Sequence, residues 1–309
     1  MHLKIYYIGS CTGVKITEQT TVKEVVEFVL SKNQVPTEYA SMCSIIAKNG
    51  KEFGSILSHY EQIIKYQNHA LCFRILRFFE REQIEQIDPH FLQMAQLQMH
   101  RFIIDNLWLT DQMTACNLAA YQCGIEFGQY TNQVYSFLNN TISSLISPIF
   151  IDEPKRIQKT IIRKWKEFTE TEQIQNIEQA VLNYVLTVAE WIPQFGTYVI
   201  GCQLLNQDFL VGSDCFLSVG GNKCLVQSLQ NQQLLVYSDW ASLDLKIING
   251  SFKKFNILTN NQKFEFQCDD LLQFQKIIEW QRSCSYDSIL CAQQTEISTK
   301  IDENQVLIE

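Results

Sequence analysis

The apolar residues of this sequence change their spacing twice, from strand-like to helical near Pro89 and back to strand-like after Gly196. At 309 residues, runs of strands, then helices, then strands point to two or three packed units in series. In the first segment Leu3, Ile5 and Tyr7 alternate against Lys4 and Tyr6, and a Gly9–Gly13 turn leads to Val14 and Ile16, which predicts a β-hairpin. Thr21 then precedes Val22, Val25, Val26, Phe28, Val29 and Leu30 at helical spacing, with Lys23, Glu24 and Glu27 elsewhere. Met42–Ala47 and Leu71–Phe79 supply further strands, with a short helix or turn over His59–Tyr66. Hairpin, helix and further strands is the order of a ubiquitin-like β-grasp.

The middle segment predicts a helical bundle. One helix covers Phe91–Ile104, and Thr110 caps a second whose Ala115, Ala119, Ala120 and Gly124 allow close approach. A third, Lys155–Phe168, turns Ile157, Ile161, Trp165 and Phe168 to one side; Thr169 or Thr171 opens a fourth, ended by Pro193 and Gly196. Beyond Gly196 come seven short strand runs: Tyr198–Leu205, Phe216–Val219, Cys224–Leu229, Leu234–Tyr237, Leu243–Ile248, Phe255–Leu258 and Phe264–Cys268. Leu271, Leu272, Phe274, Ile277, Ile278 and Trp280 then return to helical spacing. Strands closed by one helix describe a pleckstrin-homology-like barrel. The fold class is α+β multidomain, with lobes at 1–80, 85–193 and 194–285 and an acidic tail at 286–309. The connections near Glu80–Asp88 and Pro193–Gly196 are short and poor in Gly and Ser, which predicts lobes packed as one body.

Three lobes in this order resemble the FERM family. The likeness is carried by Leu118-Ala119-Ala120-Tyr121-Gln122 with Glu126-Phe127-Gly128-Gln129-Tyr130, by Trp191-Ile192-Pro193-Gln194-Phe195-Gly196 at the junction, and by Asp239-Trp240-Ala241-Ser242-Leu243 with Lys253-Lys254-Phe255-Asn256-Ile257. The helical segment and junction look most like FERM modules in tails of unconventional myosins and plant-type kinesins, or in talin. The resemblance implies a non-enzymatic adaptor or scaffold that binds protein tails and anionic membrane lipid, linking cytoskeleton to membrane or cargo. Its alternative is a subunit built stably into a cytoskeletal or ciliary assembly. It also implies a partner groove at Leu243, Leu245 and Ile247, faced by Leu272, Lys276 and Glu279 of the C-terminal helix, where an extended peptide adds as a strand.

The remaining chemistry is sparse. A formal charge of −8 disfavours a general grip on nucleic acid. His2, His59, His69, His90 and His100 show no metal-ligand spacing with one another or with the 11 cysteines, and no Cys-x-x-Cys pair occurs. Phosphate-binding glycine motifs are missing, and Gly220-Gly221-Asn222 is a hairpin turn. The expectation is no catalytic centre, metal or cofactor, with Cys116 and Cys123 as core thiols. No stretch reaches the roughly 18 apolar residues of a membrane span, and the expected location is the cytoplasm, at the cytoskeleton, cell cortex or cilium. The exception to the acidic balance is a stripe of Lys155, Lys159, Arg163 and Lys166. At about 1 kcal/mol per cation near an anionic surface, it would support reversible attachment to an acidic partner or lipid.

Overall fold

The computed structural model describes residues 1–48, 55–131, 138–151, 153–206, 214–220, 223–229, 234–239, 244–247, 254–259 and 262–267. Strands β1 (His2–Tyr7) and β2 (Ser10–Lys15) form the hairpin, but the turn is tighter than the glycine pair suggests. Tyr7 faces Ser10, which leaves a two-residue turn of Ile8 and Gly9. Both have positive φ (22° and 78°), and the second sits where glycine carries no Cβ penalty. Helix α1 (Val22–Lys32) opens on a reciprocal cap: Glu24 N–H donates to the Thr21 hydroxyl at 3.3 Å, and Thr21 N–H donates to the Glu24 carboxylate at 2.7 Å. Its buried face, Val22, Val25, Val26, Val29 and Leu30, covers a sheet ordered β2-β1-β5-β3-β4, whereas Phe28, expected with them, points off that face and is exposed. Here β3 is Cys43–Lys48, β5 is Ala70–Ile75, and β4 (Ser55–Ile56) is a two-residue strand too short to leave a sequence signal. Only the β1–β5 pairing is parallel, which gives the β-grasp.

Among the described residues five α-helices follow: α2 (Pro89–Ile104), α3 (Gln112–Phe127), α4 (Leu138–Leu145), α5 (Pro154–Glu170) and α6 (Ile177–Trp191). The caps differ from expectation in two places. Asp111, not Thr110, caps α3, because its carboxylate accepts from the N–H groups of Met113 and Thr114 at 2.8 and 3.0 Å. Thr171 closes α5, and α6 begins at Asn176, whose side chain accepts from Gln179 N–H. The small-residue face of α3 is buried as expected, and a Cβ at Gly124 would lie 2.8 Å from Ile174 in the α5–α6 connection. Helix α4 has no counterpart among the expected helices.

The lobes share their cores. Gln98 of α2 is fully buried and completes the end of β5, accepting from Ile75 N–H at 3.0 Å and donating to Ile75 C=O at 2.6 Å. Tyr7 OH donates to Met94 C=O nearby. An aromatic chain runs from Tyr39 to Phe91 (4.2 Å, stacked), Phe79 (6.4 Å) and Phe195 of the junction (6.1 Å). A second apolar cluster joins Ile46, Ile56 and Leu76 of the first lobe to Ile200, Leu204, Leu217, Val226 and Phe266 of the third.

That third lobe is one antiparallel sheet ordered β10-β11-β12-β6-β7-β8-β9. Its strands are β6 (Tyr198–Leu204), β7 (Asp214–Gly220), β8 (Lys223–Ser228), β9 (Leu234–Asp239), β10 (Asp244–Ile247), β11 (Lys254–Thr259) and β12 (Gln262–Gln267). All seven coincide with the predicted runs. The predicted C-terminal helix, the acidic tail and Trp240 lie outside the described residues. At the junction Gly220 meets Gly196 so closely that a Cβ on Gly220 would stand 2.4 Å from the Gly196 carbonyl oxygen.

Candidate functional site

Two surfaces answer to the sequence reading. The first is the exposed side of α5. Its inner side is fixed by Ile157, Ile161, Trp165 and Phe168, and by a hydrogen bond of 3.0 Å from Trp165 Nε1–H to Gly128 C=O. This anchoring turns Lys155, Lys159 and Arg163 outward at four-residue steps, about 6 Å apart along the axis. The neighbouring cations are compensated: Arg156 by Glu153 (3.5 Å), Lys164 by Glu167 (3.2 Å) and Lys166 by Glu170 (3.7 Å). Among the described residues no carboxylate lies within 4 Å of Lys155, Lys159 or Arg163, while Lys166 shares an exposed pair with Glu170.

Between this stripe and the start of α3 lies a groove of about 1030 Å³, lined by Gln112, Met113, Cys116, Glu153, Pro154, Ile157 and the cations. Cys116 and Ile157 form a buried floor, while Met113 is half exposed at the rim. Burial pushes the Cys116 thiol up to about 11, so it is a packing group and not a thiolate nucleophile. Burial also pushes Asp111 up, but bonds from the Thr114 hydroxyl and N–H and from Met113 N–H outweigh it and hold the carboxyl below its usual range. The sequence pointed to the stripe and missed the opposite wall, because Gln112 and Met113 carry no signal until α3 and α5 are packed together.

The second surface is the β10 edge. Leu245 and Ile247 pair with Ile257 and Phe255 of β11, and among the described residues β10 has no strand on its other side. Leu243, Leu272, Lys276 and Glu279 lie outside the described residues. Among the described residues no group of His, Cys, Asp and Glu is arranged to hold a metal ion, and no helix is long and apolar enough to cross a membrane. The histidine with the most structured surroundings, His100, ties three helices together. Its Nε2–H donates to Ser144 C=O of α4 (2.8 Å), and Nδ1 accepts from Tyr184 OH of α6 (3.1 Å).

Residues 82–199, from the turn before α2 to the start of β6, match the family model of the FERM central domain. The helical lobe is a FERM central domain. The three-lobed FERM architecture extends the likeness over nearly the whole chain. The FERM and C-terminal domain complex of Drosophila Merlin superposes with a TM-score of 0.70 at 13% identity, over 96% of this chain and 98% of that one. The MyTH4-FERM MF1 domain of Dictyostelium discoideum myosin VII gives 0.68 at 15%, over 92% and 60%. The human myosin 7b C-terminal MyTH4-FERM domain, in complex with the harmonin-a PDZ3 domain, gives 0.68 at 12%, over 93% and 60%. At these identities the likeness is one of FERM fold, and the chain spans about three fifths of the myosin chains. No curated protein matches the sequence.

Proposed function

We propose that this chain is a non-enzymatic FERM adaptor whose third lobe takes an extended segment of a partner protein along β10, joining a cytoskeletal element to a membrane protein or cargo. The observation that carries this reading is the position of β10 at the end of the seven-stranded sheet, with β11 as its one described neighbour. A strand edge offers a row of N–H and C=O groups that an added strand satisfies, while side chains on alternate positions set specificity. The human myosin 7b domain bound to harmonin-a PDZ3 supports protein recognition by a module of this fold.

The test uses the whole chain to select binders from a random peptide library, followed by hydrogen exchange with the selected peptides bound. Added protection over residues 243–248 is the expected result. Selected peptides that leave this stretch unchanged and protect another surface would remove the β10 edge from the proposal.

A further inference from the structure

From the groove between α3 and α5 we infer a second docking site on the helical lobe, built to take an acidic amphipathic segment of a partner protein. The site is independent of the β10 edge, which belongs to another lobe. Charge selects the occupant first. The chain carries −8 overall, yet Lys155, Lys159 and Arg163 stand along one wall without a carboxylate within 4 Å among the described residues. Glu153 also lines the groove but pairs with Arg156 at 3.5 Å, and Asp111, just before α3, accepts from the N–H groups of Met113 and Thr114. Like charges at successive i, i+4 steps repel one another along an exposed helix face. An anionic occupant relieves this repulsion and is drawn in by it.

Shape then separates a peptide from a membrane. The accessible apolar surface in the groove is Met113, 54% exposed, while Cys116 and Ile157 beneath it are closed off at 1% and 3% exposure. A planar bilayer reaches the cation tips and leaves the groove between the two helices unfilled. A helix or extended strand with Leu or Ile on one face and Asp or Glu on the other fills the groove and meets the cations together. A volume of about 1030 Å³ accommodates several side chains of such a segment. Salt should weaken the charge component and leave the apolar one, so affinity should fall with ionic strength without vanishing.

The experiment titrates the whole chain, labelled with ¹³C at its methionine methyl groups, with a 16-residue peptide carrying Leu on one helical face and Glu on the other. Parallel arms use the same peptide with Leu→Ser, a peptide of residues 286–309, and vesicles containing phosphatidylserine. The expected result is a shift of the Met113 methyl signal with the first peptide, at least tenfold weaker binding for the Leu→Ser peptide, and a similar loss in Lys159→Glu/Arg163→Glu. Lys159→Gln should bind more weakly and melt at an equal or slightly higher temperature, which a purely structural lysine would not do. Binding unaffected by charge reversal, or no shift at Met113, overturns the site. Vesicle binding without peptide binding replaces the peptide by a membrane, and binding confined to the 286–309 peptide replaces the foreign partner by the chain's own end; either overturns the inference.

Discussion

Replacing Gln98 by Met tests whether the first two lobes are clasped as described. The two side chains are close in volume, so packing around α2 is retained while both bonds to Ile75 are removed. Strand β1 pairs with β5 only at Leu71 and Cys72, so it does not reach the Ile75 backbone. On its other side Ile75 stands opposite Cys43 of β3. The buried N–H and C=O of Ile75 would therefore lose the groups that satisfy them. At about 1–3 kcal/mol for each unsatisfied buried group, Gln98→Met should cost roughly 2–6 kcal/mol. Urea unfolding reads the loss, and hydrogen exchange at the Ile75 amide localises it. The exposed Gln93→Met on the same helix serves as control, with an expected change within about 0.5 kcal/mol. A loss below about 1 kcal/mol for Gln98→Met, with exchange at Ile75 unchanged, would show that water or a shifted strand replaces the glutamine and that the clasp is not a fixed feature.

Burial lowers His100 to about 4, against a raising contribution from Ser144 C=O. Between pH 6.5 and 4 the unfolded chain therefore holds one more proton than the folded one, and stability should decline as pH falls through that window, by on the order of 3 kcal/mol. Urea midpoints measured from pH 7 to 4 should show this slope, and His100→Gln should flatten it. Gly220→Ala forces a Cβ onto the Gly196 carbonyl and should lower stability by about 1–3 kcal/mol in thermal melts, with no effect on peptide binding in the helical-lobe groove. Thr21→Ala removes the hydroxyl cap of α1 and should cost about 1 kcal/mol in the same assay.

The fold was legible where short-range physics decides it. The hairpin, the Thr21 cap, the buried face of α5 and all seven strands of the third lobe follow from periodicity and turn chemistry. Cap competition was not legible: Thr110 and Asp111 are adjacent, and the carboxylate prevails because it reaches two N–H groups at once. Nor were the contacts between lobes. Gln98 and Gln96 look like solvent-facing helix residues in a glutamine-rich sequence, yet both are fully buried, the first on Ile75 and the second on Gln122 at 2.7 Å. A long amide reads as polar surface until a partner from a distant segment is in place. The basic stripe was visible as a spacing, but which cations stay uncompensated depends on side-chain reach, and the Met113 wall depends on how α3 and α5, which are not consecutive helices, pack.

Under the proposed adaptor function, the apolar cluster shared by the first and third lobes would acquire a mechanical meaning. Ile46 and Ile56 face each other across the β3–β4 pair and both enter the third lobe's core. A pull applied at β10 is thus carried through the sheet into that ribbon, where it acts as shear on a broad contact. The short connection around residues 192–197 is bypassed as a weak link. Such a body should hold its shape up to the force that ruptures the shared contact and then yield in a single large step. A chain of hinged lobes would extend gradually instead.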